Sequence, residues 1–152
     1  MAMLTRRVLV LGAAVWLSGC SARADLDAPP LYPNETPQLR RPLEVAAQRY
    51  ALPVALVQKV IVRESTHRPD ARNGPYYGLM QLLPQTARGI GYEGPDTGLL
   101  DAETNLNFGV KYLRGAWLLS NGSFDTAVKW YARGYYYEAK RRGMLRETGL
   151  VS

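Results

Sequence analysis

Cysteine and histidine are scarce in this chain, which contains one of each among its 152 residues. A single cysteine cannot form an internal disulfide bond, and one cysteine with one histidine cannot complete a zinc site built on those two residue types. A Ser-His-Asp triad would have to use the only histidine in the chain. The composition therefore excludes most metal chemistry, and we expect no metal site and no cofactor.

Long apolar runs are also lacking. The stretch at residues 8–17 holds about ten residues, whereas a membrane-spanning helix needs about 20. No segment alternates apolar and polar residues regularly enough to predict a set of strands. Because 47% of the residues are apolar and the length suits one domain, we expect a single small domain that is all-α or mostly α.

The first 19 residues have the features of a secretory signal peptide. A short basic segment with Arg6 and Arg7 precedes the apolar stretch, and the small residues Ser18 and Gly19 follow it. The apolar stretch has the length of a signal-peptide core rather than that of a membrane span. We therefore expect residues 1–19 to direct export.

The segment from Leu17 to Cys20 resembles the bacterial lipobox, in which the signal peptide is cut before a cysteine that then carries a lipid. This resemblance implies a lipid anchor on Cys20; a plain signal peptide with an incidental cysteine is the alternative. Residue 21 is serine rather than aspartate, which in lipoproteins of Gram-negative bacteria implies the periplasmic face of the outer membrane. The expected location is thus the periplasm, with a membrane contact through the lipid.

The basic charge of the chain is smaller than its formal value of +6 suggests. Removal of residues 1–19 takes away two arginines and leaves 17 basic and 13 acidic side chains, a net charge of +4. A modest positive charge suits an acidic polymer as partner. The sequence contains no basic helix and no stacking-sheet motif of the kinds that bind nucleic acids, so no nucleic-acid partner is expected.

Residues 20–42 are rich in proline and separate the signal peptide from the rest of the chain. Five prolines among small and polar residues favour extended, non-helical chain, which we interpret as a tether for a domain at residues 43–152. Such a tether would reach roughly 25–65 Å. The prolines are Pro29, Pro30, Pro33, Pro37 and Pro42.

A helix is predicted from Pro53 to about Ser65, with proline in the first turn, where its missing N–H is not needed. Its apolar residues follow helical spacing and end in the carboxylate of Glu64. An ionised carboxylate on an apolar face is costly unless it is paired or protonated, so Glu64 is a candidate functional residue. The alternative is an exposed last turn in which Glu64 pairs with Arg63 or Arg68. The stripe consists of Val57, Val60, Ile61 and Glu64.

Other helices are predicted by the same periodicity and by capping residues. Asp101 is placed to cap a helix at residues 102–119, and Ser123 is placed to cap the next one. Residues 66–78 are rich in turn-forming residues and predict a loop, with His67 at its surface. The remaining predicted helices lie at residues 43–50, 84–89 and 135–142.

Four segments carry motifs whose order and spacing are informative together. They are Glu64-Ser65, the run from Gly78 to Ala87, the run from Asp101 to Leu113, and the run from Trp130 to Gly134. The second reads Gly-Leu-Met-Gln-Leu-Leu-Pro-Gln-Thr-Ala, and the last reads Trp-Tyr-Ala-Arg-Gly. In combination, residues 43–137 resemble the lytic transglycosylase domain of the soluble-lytic-transglycosylase type, a relative of goose-type lysozyme.

The resemblance implies a lysozyme-like helical fold with a loop-rich substrate cleft, and cleavage of the MurNAc-GlcNAc β-1,4 bond of peptidoglycan glycan strands without water. In that family one glutamic acid protonates the glycosidic oxygen and then removes a proton from the muramoyl 6-hydroxyl, which gives 1,6-anhydromuramoyl products. Glu64 matches this residue, with Tyr131 expected to hydrogen-bond near it. The substrate groove would be formed by Ser65, Gly78, Met80, Gln81 and Tyr131.

One departure from the family pattern keeps other functions open. The asparagine that usually follows the motif tyrosine is Ala132 here. A peptidoglycan-binding or scaffold lipoprotein with little or no turnover is therefore one alternative, and a lysozyme-type hydrolase is another. Most glycosidases use a second carboxylate, but Asp70, Asp96 and Asp101 have no spacing that argues for that role.

Overall fold

Helices make up most of the architecture. The computed structural model describes residues 29–150, which form six α-helices, one short 3-10 helix and a two-stranded sheet. This arrangement confirms the mostly α fold class. Within the same range, no helix has the length and apolarity that crossing a membrane requires. The expected signal peptide, residues 1–19, and Cys20 lie outside the described residues.

The helices that were predicted from residue 53 onward agree with the structure to within one or two residues. The α-helices are α1 (Pro37–Arg49), α2 (Val54–Glu64), α3 (Pro84–Gly89), α4 (Ala102–Leu118), α5 (Phe124–Arg133) and α6 (Tyr136–Arg141). The 3-10 helix is Asp96–Leu100, and the strands are β1 (Arg72–Asn73) and β2 (Tyr76–Tyr77).

Helix α4 is the central element of the fold. Asp101 caps it by accepting the Thr104 N–H, and Ser123 caps α5 in the same way through the Thr126 N–H. The buried face of α4 packs against α1 on one side and α5 on the other. Gly109 lets the helix approach the loop before α3, because a Cβ at this position would lie 2.6 Å from the Met80 sulfur.

Two hydrophobic clusters form the interior. The larger one is built from the inner faces of α1, α2, α4 and α5 and includes the fully buried Ile61 and Leu113. The smaller one lies around the hairpin, α3 and the 3-10 helix and consists of Tyr77, Leu82, Ala87, Tyr92 and Leu99. Together they give a helical body with a loop-rich side.

The hairpin β1–β2 occupies the segment that was predicted as a loop. Its strands pair antiparallel, with Arg72 opposite Tyr77 and Asn73 opposite Tyr76. Gly74 has φ of +59° at the tight turn between them, a conformation that glycine adopts without strain. Strands of two residues are too short to show a period-two pattern, so the sequence does not reveal them.

The N-terminal boundary of the domain lies earlier than the sequence predicted. Residues 37–42, which we expected in the tether, form the first turns of α1. Pro37 stands in the first turn, where proline is tolerated, but Pro42 lies inside the helix at a cost of about 3 kcal/mol. The buried residues Leu43, Ala46 and Ala47 offset that cost by packing on the larger cluster.

Residues 29–36 are also bound to the domain, through Glu35. Its side chain is fully buried and forms a two-point ion pair with Arg40, whose Nη2 lies 2.7 Å from Oε2. It also accepts hydrogen bonds from the Tyr32 N–H and from Gln58 Nε2. Burial alone would raise the pKa of Glu35, but these donors outweigh it and hold the pKa at about 2.

We expect Glu35→Gln to lose about 3 kcal/mol of unfolding free energy at neutral pH, because its low folded pKa favours the native state. This contribution is present above the ordinary pKa of 4.5 and is lost as pH falls toward 2. Urea denaturation at several pH values should therefore show the two proteins converging between pH 4.5 and 2. Exposed Glu44→Gln is the control, and an equal loss in that variant would contradict the prediction.

His67 is buried, so its predicted surface position was wrong. Only 1% of its surface is exposed. Its Nε2 lies 2.6 Å from Gln58 Oε1, and its ring stacks on Tyr32 with 5.4 Å between the centroids. Burial lowers the pKa of His67. The turn-rich composition around His67 correctly indicated a loop, but a loop residue becomes buried when another segment covers it.

Candidate active site

A cleft of about 400 Å³ opens between the helical body and the loop-rich side. Its walls come from the end of α2, the hairpin, the segment leading into α3, the middle of α4 and the end of α5. The lining residues are Arg63, Glu64, Asn73, Tyr76, Gln81, Leu82, Leu83, Thr86, Tyr112, Tyr131, Ala132, Arg133 and Gly134. Glu64 is the only carboxylic acid among them.

Glu64 is the last residue of α2 and projects from the buried side of that helix. Val57, Val60 and Ile61, which share its stripe, are completely buried, whereas 20% of the Glu64 side chain is exposed. Burial raises the pKa of Glu64, and the half-exposed Arg63, 3.2 Å away, opposes this rise only in part. The carboxyl group thus combines access to the cleft with a preference for its protonated form.

Ser65 fixes the end of α2 against the loop before α3. Its hydroxyl donates a hydrogen bond of 2.7 Å to the Leu79 carbonyl, and its backbone N–H donates to Ile61. Only 2% of Ser65 is exposed. Its side chain therefore determines where Glu64 leaves the helix, and does not itself line the cleft.

The loop before α3 is held by close packing around Gly78. Gly78 has φ of +72°, and a Cβ there would lie 2.5 Å from both Asn105 Nδ2 and the Leu99 carbonyl oxygen. Gln81 follows with φ of +47° and donates from Nε2 to the carbonyls of Ala71 and Gly78. These contacts place Gln81 in the cleft wall.

Asn105 joins this loop to α4. Its Oδ1 accepts the Met80 N–H, and its Nδ2 donates to the carbonyls of Tyr77 and Leu99, each at 2.8 Å. Asn105 is completely buried, so bulk water does not reach these hydrogen bonds. One side chain thus satisfies three backbone groups of the loop-rich side.

Tyr131 forms part of the cleft floor. Its hydroxyl donates to the Met80 carbonyl at 2.8 Å, and its ring meets Tyr112 edge to face at 5.5 Å. The hydrogen bond to Glu64 that we expected is replaced by this backbone contact. Burial raises the pKa of Tyr131 well above its ordinary value, and the negative charge of the neighbouring Glu64 raises it further. The Tyr131 hydroxyl therefore stays protonated.

We expect Tyr131→Phe to lower the unfolding free energy by about 1–2 kcal/mol, because the buried Met80 carbonyl loses its donor. Thermal or urea denaturation monitored by circular dichroism measures this loss. Tyr137→Phe is a matched control, since Tyr137 is 84% exposed and its change should stay within about 0.5 kcal/mol. Equal stability of the two variants would contradict a structural role for the Tyr131 hydroxyl.

The structure separates the predicted catalytic residue and the predicted groove residues into two groups. Glu64, Gln81 and Tyr131 line one cleft together. Ser65, Gly78 and Met80 lie behind its wall, and Met80 is completely buried in the larger cluster. The side chains of neighbouring motif residues point in different directions, so some of them line the cleft and others are buried behind its wall.

Sequence reasoning missed several residues that line the cleft. Tyr76, which is 44% exposed at the hairpin, stands at one side, and Tyr112 stands at the other. The ring of Tyr112 stacks on Tyr135 with 4.6 Å between centroids. The one signal available was composition, because ten tyrosines against two phenylalanines favour rings with a polar edge.

Ala132 and its neighbours form the edge of the cleft where the family pattern is broken. Ala132 is exposed and lines the cleft without offering a side-chain hydrogen bond. The Arg133 guanidinium lies 4.0 Å from the centroid of the Trp130 ring, a cation–π contact. This edge of the cleft therefore carries the positive charge of Arg133 over the Trp130 ring.

A larger groove of about 810 Å³ lies between α1 and α4. None of the residues that were predicted for the substrate site lines it. Its carboxylate, Glu103, belongs to the exposed first turn of α4. The smaller cleft is the better candidate because it holds a desolvated carboxyl group.

The chain is similar to proteins of one family. The family model described as Transglycosylase SLT domain matches residues 41–143. Relatives named membrane-bound lytic murein transglycosylase C, from Haemophilus influenzae strains PittEE and PittGG, are 34% identical over 88 residues. The alignment covers 53% of this chain and 24% of each relative, so the chain spans about a quarter of the length of the curated relatives it matches.

Proposed function

This chain belongs to the transglycosylase SLT domain family, and from that membership we propose that it is a lytic transglycosylase of peptidoglycan. The substrate is the glycan strand, cut at the MurNAc-GlcNAc β-1,4 bond. The observation that carries the proposal is the position of Glu64, a desolvated carboxyl group and the only one among the described residues that line the cleft.

The proposed reaction uses Glu64 twice. Protonated Glu64 donates its proton to the glycosidic oxygen as the bond from that oxygen to the muramoyl C1 breaks. The resulting carboxylate then takes the proton of the muramoyl 6-hydroxyl, and the 6-oxygen bonds to C1 and closes a 1,6-anhydro ring. The proton on Glu64 is restored, so one carboxyl group completes the cycle without water and without a second acid.

The surroundings of Glu64 suit both steps. Burial raises its pKa, which favours the proton that the first step consumes. Arg63, at 3.2 Å, stabilises the carboxylate that the second step needs. We propose that Gln81 and Tyr131 help to shape the sugar site beside it, while Ser65, Gly78 and Met80 support the wall from behind.

Digestion of purified peptidoglycan tests the proposal. The full chain, purified in detergent, is incubated with peptidoglycan sacculi, and the soluble products are analysed by mass spectrometry. We expect muropeptides that end in 1,6-anhydromuramic acid. Products with reducing-end muramic acid would instead identify a hydrolase, and binding without soluble products would identify a scaffold protein, the alternative that Ala132 motivates.

We also propose that the chain is a lipoprotein with its lipid on Cys20, facing the periplasm from the outer membrane. The sequence pattern at Leu17 to Cys20 supports this, and the relatives carry the word membrane-bound in their names. Because residues 29–36 are attached to the domain, they do not belong to the tether that the sequence predicted at residues 20–42. The mass of the N-terminal peptide of the mature protein tests for the lipid.

A further inference from the structure

The chain makes an unusual turn directly after Glu64 and Ser65. Thr66 has φ of +52° and His67 has φ of +58°, so two successive residues with side chains adopt the left-handed conformation. Side chains disfavour this conformation because the Cβ atom approaches the backbone, and such strain persists only where surrounding contacts hold it. Strain of this kind concentrates at functional sites.

Part of the support for this turn comes from residues 29–36, which we call the N-terminal segment. Asn34 donates a hydrogen bond of 3.0 Å to the Thr66 carbonyl across 32 residues of sequence. Tyr32 stacks on the His67 ring, with planes inclined by 20°. Both contacts act on the two residues whose backbone is strained.

The rest of the support is a buried polar chain. His67 Nε2 lies 2.6 Å from Gln58 Oε1, Gln58 Nε2 donates to Glu35 Oε1 at 2.8 Å, and Glu35 is paired with Arg40. Because the Glu35 carboxylate can only accept, Gln58 must donate to it with its amide nitrogen. Gln58 then accepts with its oxygen, so His67 carries its proton on Nε2.

We infer that the N-terminal segment and the chain His67–Gln58–Glu35 form a clamp that positions Glu64 for the reaction proposed above. The clamp fixes the strained turn, the turn and Ser65 fix the end of α2, and the end of α2 fixes the carboxyl group in the cleft. His67, Gln58 and Glu35 are positioning residues, since none of them lines the cleft. The inference rests on the proposed function.

The main test compares two replacements of His67 in the full chain. His67→Leu fills similar space but cannot donate to Gln58, whereas His67→Gln places an amide nitrogen near the position of Nε2. We expect His67→Leu to lower kcat about 10- to 100-fold with KM changed less than about 3-fold, because small misplacements of a reacting group are costly. His67→Gln should recover most of that loss.

A matched control separates positioning from general destabilisation. Leu119→Ala removes a fully buried side chain at the C-cap of α4, which is not part of the clamp and does not line the cleft. All variants are assayed at a temperature at which circular dichroism shows them folded. We expect kcat of Leu119→Ala to match the wild type; a fall equal to that of His67→Leu would overturn the inference.

The pH profile gives a second readout that destabilisation alone would not move. Cleavage needs protonated Glu64, so activity falls on the alkaline side as that group ionises. If His67→Leu lets the carboxyl group move toward water, this limb shifts to lower pH, and in Leu119→Ala it stays in place. An unshifted limb together with wild-type kcat in folded His67→Leu would overturn the clamp.

A further variant tests the N-terminal segment directly. Tyr32 and Asn34 lie at the surface, so replacing both with alanine removes their side-chain contacts with the turn but keeps the hydrogen-bonding groups of His67, Gln58 and Glu35. We expect a loss of kcat of about 3- to 10-fold with little change in KM. Unchanged kcat in this double variant would overturn the part of the clamp that rests on Tyr32 and Asn34.

Failure of the proposed function can be told apart from failure of the clamp. If the wild type gives no turnover, the proposed function fails, and the clamp is then judged by the Glu64 carboxyl ¹³C titration in NMR. A lower Glu64 pKa in His67→Leu than in the wild type supports the clamp, and identical titrations overturn it.

Discussion

Glu64→Gln is expected to lower the release of soluble muropeptides by roughly 10³- to 10⁴-fold, because glutamine keeps the shape of the side chain but is neither an acid nor a base near neutral pH. Both proposed steps use this carboxyl group, and the cleft residues described in the structure include no other. Mass spectrometry of peptidoglycan digests measures the effect. Glu93→Gln, at an exposed position, should retain full activity.

The same substitution should not destabilise the fold. Since the folded pKa of Glu64 is raised, its contribution to stability is fully present below the ordinary pKa and is lost as pH rises through the folded value. At pH 7 the raised pKa of Glu64 therefore lowers the stability of the folded state, and glutamine, which does not ionise, removes that cost. Urea denaturation should show Glu64→Gln at least as stable as the wild type at pH 7, with the difference decreasing toward pH 4.

Loss of activity that came with unfolding would contradict this interpretation. So would a stable Glu64→Gln protein that retained more than about a hundredth of the activity, since general acid catalysis contributes at least about 10²-fold. In that case another group in the cleft would have to supply the proton.

Asn105→Ala is expected to cost about 3–5 kcal/mol of unfolding free energy, the largest loss of stability that we predict. The change leaves the Met80 N–H and the Leu99 carbonyl without their buried partner, and each unsatisfied group costs about 1–3 kcal/mol. The Tyr77 carbonyl also loses a donor but keeps the Leu82 N–H. Denaturant unfolding measures the loss. The loop before α3 should loosen as well, and activity should fall with it.

Asn107→Ala provides the comparison within the same helix. Asn107 accepts hydrogen bonds from Arg49 and Tyr50 near the surface, where water can replace it. Its removal should cost no more than about 1 kcal/mol. If Asn105→Ala were equally mild, the bond between the loop-rich side and α4 would not be the support that we infer.

Local patterns were enough to predict the helices that follow ordinary rules. The apolar stripe of α2 and the caps Asp101 and Ser123 each act within a few residues, so the sequence displays them directly. Helix α1 was predicted only from residue 43 onward, because its first turns contain Pro37 and Pro42. A high proline content favours extended, non-helical conformations of the isolated chain, and tertiary packing outweighs that preference in α1.

The part of the site that the sequence predicted is the one where a charged residue type stands on an apolar helix face. Glu64 was recognisable as a carboxylate at the end of an apolar face, and its raised pKa agrees with that reasoning. The buried hydrogen-bond partners of His67 and Asn105 were not recognisable, since they lie six to 28 residues away in the sequence. No local pattern encodes such pairs, because they form only when distant segments meet.

The residues that form the cleft lie far apart in the sequence, so they are synthesised at different times. Glu64 and Tyr131 are 67 residues apart in the sequence, and Asn105, which anchors the loop between them, also follows Glu64. A ribosome makes the carboxyl group well before it makes the opposite wall. A growing chain that has completed α2 therefore holds the acid but no cleft around it. The cleft can therefore be completed only after α5 has been synthesised.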